Sequence, residues 1–338
     1  MKILGIETSC DETAAAIVED GTKILSNVVA SSVEMHAKTG GVIPEQAARQ
    51  QVRSILPVVE HALKDAGVKP GGINSIAVTI GPGLVGSLLV GIETARTLSL
   101  LWGKPLIPVN HLVAHIYANW LTGEPEFPAL ALVVSGGHTD LVLMRGHGKI
   151  EWIGGTRDDA AGEAFDKCAR LLGLSYPGGP SISAEASKPQ RKTGNLKMFP
   201  RPMIDDDSFD WSFSGLKTAV LREVKSNPTT LPLRRAELAA QVQEAIVDVL
   251  VEKTLRAVRK FKPKSLLLAG GVAANSRLRQ KFKSAISHQS LTVDFRVPPP
   301  KLCTDNAAYI AGYAYFVNSS SRWENIEANP ELTIVGQI

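Results

Sequence analysis

The chain has 338 residues, enough for about two domains, and its 37 basic against 33 acidic side chains leave a formal charge of +4, compatible with a nucleic-acid partner without demanding one. Three cysteines, Cys10, Cys168 and Cys303, form no C-x-x-C pair, which argues against a disulfide framework or a thiolate zinc site and for a reducing, cytoplasmic compartment. The longest apolar-rich segment, Leu84 to Ile92, falls far short of the ~20 residues a bilayer span takes, so no membrane association is expected.

The first predicted element is a strand, Lys2 to Thr8, closed by an abrupt polar turn at Ser9-Cys10-Asp11-Glu12. Strands at Thr13 to Val18 and Ile24 to Ala30 follow. Ser75 to Ile80 reads as a buried strand, then comes Gly81-Pro82-Gly83, then a helical run from Leu84 to Leu101. Gly123 to Pro128, with two prolines and a glycine, is the best linker. Beyond it the opening pattern returns: strand Leu130 to Val134, turn Ser135-Gly136-Gly137-His138, return strand Thr139 to Met144, and a third strand near Ile150. Lys188 to Asp210 is polar and poorly periodic, an extended insertion, whereas Ala236 to Phe261 has helical spacing. Ser265 to Ala269, Gly270-Gly271 and a helical run from Val272 to about Phe282 repeat the strand, glycine turn, helix unit. An apolar-periodic helix, Ala307 to Phe316, comes last. Two units recurring in the same order, far more than the roughly 50 residues of a solenoid period apart, predict two α/β lobes with mixed sheets around a cleft.

Among residues that could carry chemistry, His111 and His115 stand at i and i+4 behind Asn110, a suitable N-cap. On a helix both imidazoles share one face and can reach one divalent ion; two unrelated histidines are an equally good reading of the spacing alone. The intervening Leu112-Val113-Ala114 lacks the glutamate of an H-E-x-x-H peptidase. Asp305 is the choice for a third ligand, although its place before a helix also suits an ordinary N-cap. The turns at Ser135 to Thr139 and Gly270-Gly271 present bare amides to which a phosphate could come close, or are merely tight turns. Gly81 to Gly86 matches G-x-G-x-x-G, but the next strand, Leu106 to Val109, ends in Asn110 rather than an acid, against a dinucleotide fold. Basic runs at Lys188, Arg191, Lys192, Lys197 and Arg201 and from Lys253 to Lys264 are solvated faces or RNA contacts.

Eight ordered segments resemble the bacterial TsaD branch of the tRNA adenosine threonylcarbamoyltransferases. They are Gly5 to Thr13, Asn110 to His115, Val134 to Thr139, Asp158 to Lys167, Tyr176 to Gly179, Phe213 to Thr218, Gly270 to Asn275 and Cys303 to Asn306. The resemblance implies an actin-like (ASKHA) ATPase fold of two duplicated RNase H-like lobes around a nucleotide cleft, with lobes at 1–123 and 128–321 and a tail at 322–338 whose return to the first lobe is left open. It implies transfer of threonylcarbamoyl from threonylcarbamoyl-AMP to adenosine 37 of tRNAs reading codons that start with A. By the family pattern His111, His115 and Asp305 bind Fe2+ or Zn2+, with a fourth position for water or ligand because Val133 stands where archaeal relatives carry a tyrosine. Val133, Val134, Ser135, Gly136, Gly137, Asp166, Gly179 and Asn275 hold the adenylate. Asp11 and Glu12 are candidates for aiding the attacking amine or for touching a partner. The implied partners are tRNA, a paralogue of the same fold (TsaB) and a small ATPase (TsaE). A metallopeptidase and a non-catalytic actin-like nucleotide-binding scaffold are the rival readings.

Overall fold

In the computed structural model, which describes residues 1–37, 39–189, 199–226 and 228–336, the chain forms two contact-defined units. Unit one comprises Met1–Pro125, Gly146–Ile150 and Pro298–Ile338; unit two comprises Glu126–Arg145 and Glu151–Val297. The basic positions Arg191, Lys192 and Lys197 lie outside the described residues.

Unit one begins with β1 (Lys2–Glu7), β2 (Glu12–Glu19), β3 (Lys23–Ser31), α1 (Val33–Ala37), α2 (Pro44–Asp65), β4 (Ser75–Gly81), α3 (Val85–Trp102), β5 (Leu106–Asn110) and α4 (His111–Tyr117). Its sheet runs β3-β2-β1-β4-β5. The first three strands form an antiparallel meander, and β4 and β5 lie parallel to β1. β4 and β5 are buried throughout, which is why they read as apolar runs rather than alternating ones.

Unit two repeats the plan with β6 (Ala129–Val134), β7 (Thr139–Gly146), β8 (Lys149–Gly155), α5 (Ala161–Leu171), α6 (Gly178–Ala186), α7 (Ser214–Ser226), α8 (Leu231–Phe261), β9 (Ser265–Ala269), α9 (Ser276–His288) and β10 (Asp294–Arg296). The sheet order β10-β9-β6-β7-β8 matches the first sheet, with β9 parallel to β6 and β10 parallel to β9. The duplication expected from the sequence is therefore present strand for strand.

The last helix, α10 (Ala308–Val317), belongs to unit one, where it packs on β1 and α4. The sequence division at 321 grouped it with the second lobe; contacts put the boundary at 297/298. Gly5 makes the packing possible, because a Cβ there would collide with the Ala307 carbonyl. On β1, Leu4 and Ile6 join a core with Ile55, Val59, Val78, Leu88 and Ile92 from α2, β4 and α3. Helix α2 was absent from the sequence reading, although Ala47, Gln51, Ile55, Val58 and Ala62 recur at helical spacing on its buried face.

Candidate functional site

Strands β1, β4 and β5 run parallel, so their carboxyl ends share one edge of the sheet, the edge where α/β proteins gather ligands. Glu7 ends β1, Thr79 lies near the end of β4, and His111 opens α4 directly after β5. Asn110 caps that helix: its side-chain oxygen accepts from the Leu112 and Val113 amides at 3.0 and 3.4 Å. The cap starts the helix at His111 and so sets the direction of both imidazoles.

Asp305 arrives from the segment before α10. It is not the cap of that helix, since Asn306 accepts from the Ala308 amide at 3.0 Å. Its carboxylate is free for His115 Nε2 at 3.3 Å and His111 Nε2 at 3.7 Å, and the two Nε2 atoms are 3.1 Å apart. Tetrahedral coordination with arms of about 2.0–2.1 Å spaces donors about 3.3 Å apart. The trio thus has the edge lengths of one tetrahedral face, and two imidazoles with one carboxylate suit zinc or ferrous iron. The residues present fit a metal.

Around the trio lie groups that sequence reasoning missed. Glu7, 1% exposed, places Oε2 3.0 Å from His111 Nδ1 and accepts from Thr79 Oγ1 and the Ser9 amide, both at 2.6 Å. The buried Tyr309 hydroxyl lies 3.4 Å from His115 Nε2. The available signal was weak: Glu7 is a lone acid closing an apolar strand, and Tyr309 is one more aromatic residue in an apolar helix.

Electrostatics follow from this crowding. Burial resists a charge on His111, but Glu7 and Asp305 bring its pKa up to about 9. Burial and the neighbouring His111 hold His115 below the usual histidine value. Burial also works against the Asp305 charge, yet His111 and His115 hold that carboxyl at about 2. Burial, compounded by Asp305 and Asp11, pushes Glu12 up to about 9, so it keeps its proton at neutral pH. The Asp305 charge therefore reaches Glu12. The loop of Asp11 and Glu12 is clamped by Gln51, whose amide donates to the Cys10 and Glu12 carbonyls at 3.1 and 2.9 Å.

The remaining sequence candidates fall in unit two. Val133 and Val134 end β6, beside the end of β9. Gly270 at the end of β9 has φ +87°, and a Cβ there would strike the Val134 carbonyl, so only glycine brings the two turns this close. Gly136, Gly137 and Gly179 face open space. Asp166 accepts from the Gly178 amide at 2.7 Å, while burial raises its pKa. Asn275 caps α9 through the Leu278 amide at 3.0 Å and donates to Gln243 at 3.0 Å. The helix after Gly270-Gly271 begins at Ser276 rather than Val272, because Gly271–Ala274 forms a separate 3-10 turn.

Solved structures with this arrangement define the fold. Component A of the (R)-2-hydroxyglutaryl-CoA dehydratase of Acidaminococcus fermentans superposes with a TM-score of 0.54 at 14% identity, covering 93% of this chain and 98% of that one. Full-length HypF superposes at 0.57 and 13% identity, covering 95% of this chain and 47% of that one. The fold is thus that of the actin-like ATPases.

A family model described as TsaD, tRNA N6-adenosine threonylcarbamoyltransferase, matches residues 23–312. The enzyme of that name from Thermomicrobium roseum is 54% identical, the match covering 94% of this chain and 92% of that protein. Its counterpart in Dehalococcoides mccartyi is 52% identical over 99% of both chains. The chain belongs to the tRNA N6-adenosine threonylcarbamoyltransferase family and is an acyltransferase acting on tRNA; the peptidase and scaffold readings are not favoured. Among the described residues no helix is long and apolar enough to cross a membrane.

Proposed function

We propose that the chain transfers threonylcarbamoyl from threonylcarbamoyl-AMP to the exocyclic amine of adenosine 37, in tRNAs that read codons starting with A, in the cytoplasm. The observation that carries the site assignment is the His111, His115, Asp305 triangle with edges of 3.1, 3.3 and 3.7 Å. These three residues hold Fe2+ or Zn2+. When bound, the ion supplies Lewis acidity toward an oxygen of the donor substrate.

The chain's own residues do the rest. The Ser135, Gly136 and Gly137 turn after Val133 and Val134, with Gly179, brings bare amides to the adenylate, a fit supported by the open space at all three glycines. Asp166 has one oxygen on the Gly178 amide and the other for a ribose hydroxyl. Asn275, with one amide N–H on Gln243, keeps a second donor for the nucleotide. An exocyclic amine is a weak nucleophile, so holding it against the carbamoyl carbon supplies much of the acceleration. Asp11 or Glu12, at the turn from β1 into β2, accepts a hydrogen bond from the incoming amine.

Two protein partners complete the reading, a TsaB-like paralogue and a TsaE-like ATPase. In support, α2 and α3 present an apolar groove with Val52 and Leu56 more than 60% exposed and Val90, Thr94 and Thr97 beside them, a feature typical of docking surfaces.

The test is His111→Ala and His115→Ala, assayed for metal content and for threonylcarbamoyl-adenosine formed from supplied intermediate. Both variants are expected to lose the metal and essentially all transfer while keeping the parent's circular dichroism. Parental metal content and modification in both would reject the site.

A further inference from the structure

We infer that Glu7 is a positioning residue of the metal centre: its carboxylate holds His111 with the ring proton on Nδ1, leaving the Nε2 lone pair turned toward His115 and Asp305. This rests on the reading of that trio as a metal site.

The argument starts from where the chain puts a charge. Glu7 is 1% exposed, and its one ion-pair partner among the described residues is His111. A carboxylate taken out of water costs several kcal/mol unless its oxygens are met. Here both are: Oε1 accepts from the Ser9 amide, and Oε2 accepts from Thr79 Oγ1 and faces His111 Nδ1. Anchoring a strand end to the Ser9 amide alone needs no buried charge, since a neutral amide oxygen would serve. The charge finds its use only at the imidazole.

The second step is proton bookkeeping. Neutral imidazole carries one ring proton, and an ionised carboxylate can only accept. Once His111 gives up its second proton, Glu7 Oε2 at 3.0 Å from Nδ1 keeps the remaining one on Nδ1, and Nε2 is left as the acceptor atom. Ser9 Oγ, 3.3 Å from the same nitrogen, is a hydroxyl and adapts to either tautomer, so it does not set the choice. Nε2 is the atom 3.1 Å from His115 Nε2 and 3.7 Å from Asp305. The pattern of carboxylate, histidine and metal orients the ring and raises its basicity as a ligand.

The fold makes the placement deliberate. β1 and β4 pair with Ile6 opposite Val78, so Glu7 and Thr79 end side by side, and β5 next to β4 delivers His111 to the same edge. Thr79, fully buried, spends its hydroxyl proton on Glu7 and keeps the carboxylate aimed.

Glu7→Gln is the informative variant. If its oxygen stays on the Ser9 amide, the new NH2 faces Nδ1 and drives the proton to Nε2; if it flips, NH2 meets the Ser9 amide. Zinc affinity of the full chain, measured by chelator competition, is expected to fall about 10- to 100-fold, and the visible spectrum of the cobalt-loaded protein to change. Thr79→Val, which removes the donor that aims the carboxylate but keeps its charge beside His111, should weaken zinc binding less than Glu7→Gln does. A folded Glu7→Gln protein with parental zinc affinity and cobalt spectrum overturns the inference. Should that variant not fold, imidazole nitrogen NMR of the zinc-loaded parent decides: metal on His111 Nε2 with a proton on Nδ1 supports the role, and metal on Nδ1 overturns it. A parent that takes up no zinc or iron rejects the centre itself, whereas parental uptake with an indifferent Glu7→Gln rejects only Glu7.

Discussion

Without metal, His111 is pulled in two directions, and the nearby carboxylates win over burial to bring its pKa to about 9. At pH 7 it therefore carries a proton that must leave before Nε2 can ligate, whereas His115, held low, and Asp305, at about 2, are already in ligand form. Because the pKa of the metal-free site is raised, proton competition is strongest below it. Metal affinity should rise about tenfold per pH unit from 7 toward 9 and level off above. Calorimetry at pH 7 in buffers of different ionisation enthalpy should detect about one proton released per ion bound; zero release would remove the proton from His111. How legible these residues were depends on sequence distance. The histidine pair shows itself because i and i+4 is a local relation with its cap alongside. Asp305 could be joined to it only through family resemblance, since nothing local links them. Glu7 showed only as a lone acid closing an apolar strand, with nothing to link it to His111, because a partner across a sheet edge is set by register, and register needs the fold.

Helix α4 has seven residues, too few to stand without help, so its cap matters more than its propensity. Asn110 serves twice: Oδ1 takes the Leu112 and Val113 amides, and Nδ2 donates to the Thr333 carbonyl at 2.8 Å. Asn110→Ala is expected to cost about 0.5–2 kcal/mol in a urea titration and to weaken metal binding, although Asn110 touches no metal. Asn110→Ser, which keeps a capping oxygen, should recover most of the affinity. Equal metal binding by Asn110→Ala and the parent would show that the first turn is held by packing alone. The same logic of caps explains where sequence reading slipped at this scale. The helix after Gly270-Gly271 starts late because Asn275 is a better cap than any residue between Gly271 and Ala274. Helix α2 escaped notice since Gln51 and Ala47, polar or small, occupy positions on its buried face.

Over the whole molecule, the duplication was the most legible feature, because two sheets of one topology repeat one order of strands and glycine turns. The grouping of α10 was not, since chain order says nothing of which sheet a helix covers. Among the described residues, what duplication does not supply is a concentrated basic face. Along α8, α9 and the segment before α7, positive side chains are already engaged: Arg277 and Lys281 with Glu244, Arg201 with Asp248, Arg259 with Glu252, and Arg256 on the carbonyls of Ile204 and Asp206. Cations occupied in this way contribute little to phosphate contact. With a net charge of only +4, the chain alone should hold tRNA weakly and modify it slowly. A paralogous partner on the α2 and α3 groove would extend the RNA surface. It would also rest on the helix whose Gln51 clamps the Asp11 and Glu12 loop. Adding partner should thus raise tRNA affinity, with a gain that shrinks steeply between about 50 and 200 mM salt through counterion release. Leu56→Asp, on the exposed face of α2, should abolish that gain while leaving metal content unchanged. The measurement is tRNA binding and threonylcarbamoyl-adenosine formation from supplied intermediate, with and without partner, at both salt concentrations. Full multiple-turnover activity from the isolated chain would refute the dependence, and a salt-insensitive gain would assign the partner to the loop rather than to the RNA.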